Sequence, residues 1–261
     1  MTAPGGFIPI AGKTVSRLGL GTMRIAGPRS WSDLRSGRVD PMAVLVEAVR
    51  THGITHIDTA DAYGPHTVEA LVHDALAPYL DTPELLIATK VGMIRPAPHL
   101  WMSHGHPAYL RAAVEGSLRR LGVEQLDLCY LHRNDPTVPF LDQVGTLAAM
   151  QSEGKIAHIG LSKVGPGEID EALTAAPIAA VQNKLNHELQ GDLGTVEHCR
   201  TLSIPYIAYS PLGAGVLTQD GGAGRALEWL LGLGPHVAAI PGTTSSTHLR
   251  ELVASSRGWA L

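Results

Sequence analysis

The stretch Leu18-Gly19-Leu20-Gly21-Thr22-Met23-Arg24 decides the fold, first through what it lacks. It reads as a short apolar strand running into glycine, where an open dinucleotide-binding sheet would carry G-x-G-x-x-G. Arg24 stands where the third glycine belongs. Outward from this strand the chain alternates regularly. Pro41 opens an amphipathic run, Met42 to Val49, with Gly53 beyond it, the usual asymmetry of helix ends. Further strands are expected over residues 55–58, 85–90, 127–131, 157–161, 178–182, 206–209 and 237–240. Helices are expected between them over 67–80, 108–121, 140–152, 167–175, 193–202, 224–233 and 247–255. The strands are short apolar runs without clean polar alternation, which suits a parallel sheet covered on both faces. Eight strands and eight helices close most naturally into a (β/α)₈ TIM barrel, read as one domain over 1–261. Ahead of it, Phe7–Ile10 and residues 14–15 flank Ala11-Gly12-Lys13 as a β-hairpin.

Composition narrows the function. Twenty Lys+Arg against 24 Asp+Glu leave a net charge of -4, so the basic footprint of a nucleic-acid binder is missing. The start of the chain shows neither a basic region nor a long apolar one, so no secretory signal is expected. No apolar run reaches the ~18 residues of a membrane span. Two cysteines, Cys129 and Cys199, make no disulfide framework, and Cys129 lies in an apolar run. A cytoplasmic, reducing setting is expected.

In a barrel the carboxyl ends of the strands form the active face. Asp58 ends the second strand, Lys90 the third and His132 follows the fourth, while Tyr63 lies five residues beyond Asp58. Taken singly, a strand-end acid or lysine is more often a loop cap, and a tyrosine more often packing. Their coincidence on neighbouring units argues for chemistry, because a buried lysine without a partner is costly.

These residues lie in blocks that resemble the aldo-keto reductases. The blocks are Ile57-Asp58-Thr59-Ala60-Asp61-Ala62-Tyr63-Gly64, Ile87-Ala88-Thr89-Lys90 and Asp127-Leu128-Cys129-Tyr130-Leu131-His132. They continue in order with Gly154 to Ser162, Val181-Gln182-Asn183-Lys184-Leu185-Asn186, Ala208-Tyr209-Ser210-Pro211-Leu212-Gly213 and Ile240-Pro241-Gly242-Thr243-Thr244-Ser245. The likeness runs from about Leu18 to Leu252 and is nearest in flavour to bacterial members that act on small aldehydes, the pyridoxal reductase-like ones included.

The resemblance implies a catalytic tetrad of Asp58, Tyr63, Lys90 and His132, with Tyr63 as general acid in carbonyl reduction. It places Gly21, Thr22 and Met23, with Asp58, beside the nicotinamide ribose. The carboxamide falls to Ser162, Lys163 and Gln182, and the nicotinamide ring to Tyr209. Ser210 and Leu212 fall along the pyrophosphate, and Gly242, Thr243, Thr244, His248 and Arg250 near the adenosine phosphate. NADPH is the expected cofactor, with NADH as the alternative. The substrate is a small aldehyde or ketone, expected against Trp31, Trp101, Tyr63 and His132, with Trp259 also reaching the mouth.

The chain departs from the family pattern at Lys163 (usually Asn), at Leu185 (often aromatic) and at Leu252 (often Asn). Residues 91–107 read as one long loop, and 216–225 as a short connection that leaves the mouth open. His99, His104 and His106 lie in the long loop, but no acid or cysteine completes a ligand spacing, so no metal is expected. No sequence mark of association fixes an oligomeric state. Two other readings fit part of the pattern: a barrel enzyme forming a Schiff base on Lys90, and a nucleotide-sensing relative without turnover.

Overall fold

The protein is described here by a computed structural model covering residues 3–27, 30–31 and 40–256. Two antiparallel strands, β1 (Phe7–Ile10) and β2 (Lys13–Ser16), come first. Their connection is a two-residue turn, because Ala11 and Gly12 both take positive φ, 49° and 74°. Lys13 is therefore a strand residue, whereas the sequence had placed it in the turn.

Eight parallel strands follow: β3 (Leu20–Gly21), β4 (His56–Asp58), β5 (Leu86–Val91), β8 (Leu126–Leu131), β9 (Ile156–Ser162), β10 (Ile178–Lys184), β11 (Tyr206–Tyr209) and β12 (Val237–Ile240). They pair in that order. The sheet closes where Gly19 N donates to Ala239 O at 2.8 Å and Ala239 N donates to Arg17 O at 2.9 Å. The result is a (β/α)₈ barrel. Helices α1 (Pro41–Arg50), α2 (Thr67–Leu76), α3 (Pro107–Leu121), α4 (Phe140–Ser152), α5 (Pro166–Leu173), α6 (Leu193–Thr201), α7 (Gly222–Leu231) and α8 (Ser246–Ser256) surround it. Their amphipathic faces bury residues such as Val44, Leu45, Val114 and Leu147 against the outside of the sheet.

Inside the barrel, alternate strand residues Leu86, Ala88, Leu128, Tyr130, Ala180, Ile207 and Ala238 form a second core. Ile8, Ile10 and Val15 of the hairpin belong to it, so the hairpin plugs the end of the barrel away from the strands' carboxyl ends. Lys13 Nζ fastens the plug, donating to Leu85 O at 2.7 Å and to Asp127 Oδ2 at 2.8 Å. Gly160 is required here: a Cβ on it would lie 2.4 Å from the Tyr130 ring.

Three boundaries differ from the sequence reading. The second helix stops at Leu76 and continues only as a 3₁₀ turn, Ala77–Tyr79, because Pro78 has no N–H to continue an α-helical ladder. Residues 91–107 are not one loop: β6 (Met93–Ala97) and β7 (Leu100–Ser103) pair into a second antiparallel hairpin. The connection after β11 is a 3₁₀ segment, Gly213–Gly221, leading straight into α7. Among the described residues no helix is long and apolar enough to cross a membrane.

Candidate active site

Because β-strands in a parallel barrel end together, β4, β5 and β8 deliver Asp58, Lys90 and His132 to one rim. Lys90 is 1% exposed, which makes its partners decisive. Its Nζ donates to Asp58 Oδ1 at 2.5 Å and to Thr59 O at 2.8 Å, and reaches Tyr63 Oη at 3.4 Å. The other Asp58 oxygen, Oδ2, accepts from Gln182 Nε2 at 2.7 Å. Thr22 Oγ1 donates to the Asp58 carbonyl at 2.9 Å, tying β3 to β4 at this point.

Electrostatics follow from this packing. Burial alone would lower the Lys90 ammonium, but Asp58 and then Tyr63 outweigh it and hold Lys90 above the ordinary lysine value, firmly charged. Burial pushes the Tyr63 phenol above its usual value, while the Lys90 cation pulls it back. The two effects oppose each other, and the net direction is upward. His132 is driven well below the ordinary histidine value, first by burial and then by the Lys90, Lys163 and Arg133 cations, so its ring is neutral. Its Nδ1 is buried with no hydrogen-bond partner among the described residues.

The β6–β7 hairpin builds the adjoining wall. Trp101, Tyr63 and His132 meet edge to face, with ring centroids 6.1 to 6.4 Å apart. Arg95 holds Trp101 in place, its guanidinium carbon 3.6 Å from the Trp101 ring centroid and 5.3 Å from that of Trp31. The same guanidinium donates to the carbonyls of Leu100, Ser30, Ala62 and Pro98.

A cavity of about 630 Å³ runs from this cluster across the rim to α8, within the range of ligand sites. Its wall includes Gly21, Met23, Ser162, Lys163, Gln182, Tyr209, Ser210, Leu212, Gly242, Thr243, Thr244 and His248, together with Asp58, Tyr63, Lys90, His132 and Trp101. Three sequence-expected residues are placed elsewhere. Thr22 is fully buried behind the rim, bonded to Asp58. Trp31 is half-buried and packs on Arg95 behind Trp101. Arg250 projects from the outer side of α8, where its Nε donates to Glu47 Oε1 on α1 at 2.8 Å. Trp259 lies outside the described residues.

Two cations escaped the sequence reading. Arg24 lines the cavity beside Gly242, with Nη2 donating to Ala214 O at 2.7 Å. Arg133 lines it beside His132. The signal available for Arg133 was its place immediately after a strand-end histidine; Arg24 gave none. At the cavity's other features, the donor set suits a nicotinamide dinucleotide: a Ser162 hydroxyl and Gln182 amide beside the Tyr209 ring, and Arg24 and His248 toward the β12 end. One N–H of Gln182 Nε2 is given to Asp58, so its second N–H and its carbonyl oxygen are what the side chain can offer an amide.

Comparison with known proteins identifies the family and the fold. The family model described as Aldo/keto reductase family matches residues 17–225. An uncharacterized oxidoreductase of Schizosaccharomyces pombe is 37% identical over 261 residues, covering 95% of this chain and 84% of that protein. Pyridoxine 4-dehydrogenase of Escherichia coli is 36% identical over 263 residues, covering 94% of this chain and 91% of the enzyme. Among solved structures, the glycerol dehydrogenase AKR11B4 of Gluconobacter oxydans superposes with a TM-score of 0.85 at 27% identity, over 98% of this chain and 91% of that one. The thermostable aldo-keto reductase Tm1743, in complex with the inhibitor epalrestat, gives 0.78 at 27% identity, over 95% and 93%.

Proposed function

This chain belongs to the aldo-keto reductase family, an oxidoreductase family of carbonyl reduction that typically uses nicotinamide cofactors, and we propose that it reduces small aldehydes or ketones to alcohols with NADPH. The observation that carries the reading is the buried Asp58–Lys90–Tyr63 chain of contacts beside a neutral His132. The nicotinamide, when bound, supplies a hydride to the carbonyl carbon. The protein must then stabilise and protonate the oxygen that is left negative.

Tyr63 Oη is the proton source. Lys90, kept charged by Asp58, favours the phenolate that remains after the proton leaves. A neutral His132 donates a hydrogen bond to the carbonyl oxygen from one ring nitrogen without adding a charge that would compete with Lys90. Tyr63, His132 and Trp101 keep water from that spot. Ser162 and Gln182 hold the carboxamide, Tyr209 the ring, Ser210 and Leu212 the pyrophosphate, and Thr243, Thr244 and His248 the adenosine phosphate. Arg24 replaces Arg250 as the cation for the 2′-phosphate, since Arg250 is engaged with Glu47. The Schiff-base alternative requires an unprotonated Lys90, and Asp58 opposes that.

The test is loss of NADPH absorbance on mixing with a panel of aldehydes and ketones that includes pyridoxal. Turnover of several members supports the reading. Tight NADPH binding with no oxidation by any of them would favour a nucleotide-sensing protein instead.

A further inference from the structure

The cavity is not electrically balanced. Among the described residues its two acids are Asp58, whose oxygens are taken by Lys90 and Gln182, and Glu251. Its cations include Arg133 and Lys163, which follow the ends of β8 and β9. Among the described residues neither has a carboxylate partner. Arg133 Nε is buried and has no hydrogen-bond partner among the described residues, a costly state for a guanidinium nitrogen.

Both cations lie on His132's side of the mouth: Arg133 follows it in the chain, β8 pairs with β9 so that Leu131 faces Leu161 just before His132 and Lys163, and Lys163 Nζ sits 5.8 Å from the centroid of the Tyr209 ring. Strand order separates them from the proposed phosphate sites. Counting around the barrel, β8 and β9 are fourth and fifth, while β12 and β3 are eighth and first and adjoin at the closure. Arg133 and Lys163 therefore stand across the mouth from the loops proposed to hold the adenosine phosphate. Lys163 is also fixed at some conformational cost. It has φ 59°, unusual for a residue with a side chain, and the next residue is clamped by Asn183, which accepts from Val164 N at 3.2 Å and donates to Val164 O at 2.7 Å.

We propose that Arg133 and Lys163 form an anion subsite beside His132, so that the preferred carbonyl substrates carry an anionic group, a carboxylate or a phosphate. The proposal rests on the reductase reading and adds the substrate class to it. A planar guanidinium fork and a lysine point charge together suit either anion. Partial desolvation, reinforced by Arg133 and Lys184, brings Lys163 down to about 8, the mark of a cation that a bound anion would stabilise.

The experiment compares matched pairs at low salt: 4-oxobutanoate with butanal, and glyceraldehyde 3-phosphate with glyceraldehyde. In at least one pair kcat/KM for the anionic member is expected to exceed that of the neutral one by about tenfold or more. The pair that responds identifies carboxylate or phosphate. Arg133→Met and Lys163→Met should each bring the ratio toward unity; taking the ratio within each variant cancels any loss common to both substrates. Ratios at or below unity in both pairs overturn the proposal. So does a ratio that survives both substitutions, above all if NADPH affinity by fluorescence titration falls instead, which assigns the cations to the dinucleotide. If no member of either pair oxidises NADPH, the reductase reading fails by itself. Calorimetric titration with butanoate and with butanamide then decides the subsite. Tighter butanoate binding that Arg133→Met weakens supports it, and equal binding of the two overturns it.

Discussion

Replacing Lys90 by Met removes the ammonium that Asp58 faces and keeps most of the apolar stem. In the native protein Asp58 Oδ1 receives Lys90 at 2.5 Å and Oδ2 receives Gln182 at 2.7 Å, with Asp58 only 2% exposed. Lys90→Met leaves a buried carboxylate supported by one amide. Removing one partner of a buried pair costs roughly 3–5 kcal/mol, a fall in Tm of roughly 6–20 °C for a chain of this size. Asp58→Asn alone should cost a comparable amount, since it strands the ammonium on Thr59 O and Tyr63 Oη. The double variant should recover much of this, because two neutral groups no longer demand each other. The expected coupling in the double-mutant cycle is at least ~2 kcal/mol by urea denaturation. Additive losses, with coupling below ~0.5 kcal/mol, would refute the idea that the two charges are held for each other.

Other consequences follow from the same packing. Asp61 is fully buried, and burial, then Glu69, raises it well above the usual carboxylate range. The folded state thus holds its proton more tightly than the unfolded one, so its contribution is full below the unfolded value and is lost as pH rises toward the folded one. Asp61→Asn should flatten the decline of stability above roughly pH 4; parallel curves for variant and native protein would contradict this. Arg95→Met should cost ~2–3 kcal/mol through the lost stack and carbonyl contacts, shift tryptophan emission and raise KM for bulky aldehydes more than for small ones. Unchanged emission and KM would remove Arg95 as the residue that positions Trp101. Arg24→Ala should raise the KM for NADPH more than that for NADH, whereas Arg250→Ala should leave their ratio unchanged. The reverse pattern would restore Arg250 as the phosphate partner.

The barrel was legible because its strands are short apolar runs without clean polar alternation, and because Pro41, Gly53 and their counterparts punctuate the helices. The strand-end positions of Asp58, Lys90 and His132 came from the same rhythm. The β6–β7 hairpin was missed since Pro96 interrupts β6, Pro98 sits at its tip, and the alternation Met93-Ile94-Arg95 against Leu100-Trp101-Met102 is short. The partnership of Arg250 with Glu47, 203 residues away, depends on α8 packing beside α1 around the closed barrel, which no local pattern encodes. Arg24 and Arg133 were overlooked for a related reason: a single arginine in a turn is normally solvated, and only the shared cavity gives these two a common address.

The most direct measurement is a single turnover, mixing an aldehyde with protein already loaded with NADPH and following the loss of its absorbance, for the native protein and for Tyr63→Phe. A proton delivered from the Tyr63 hydroxyl requires rapid oxidation in the first and a rate lower by ~10²-fold or more in the second, with NADPH still bound by both. Equal rates in the two proteins would contradict the assignment of Tyr63 as the acid and, with it, the role given to the Asp58–Lys90 pair.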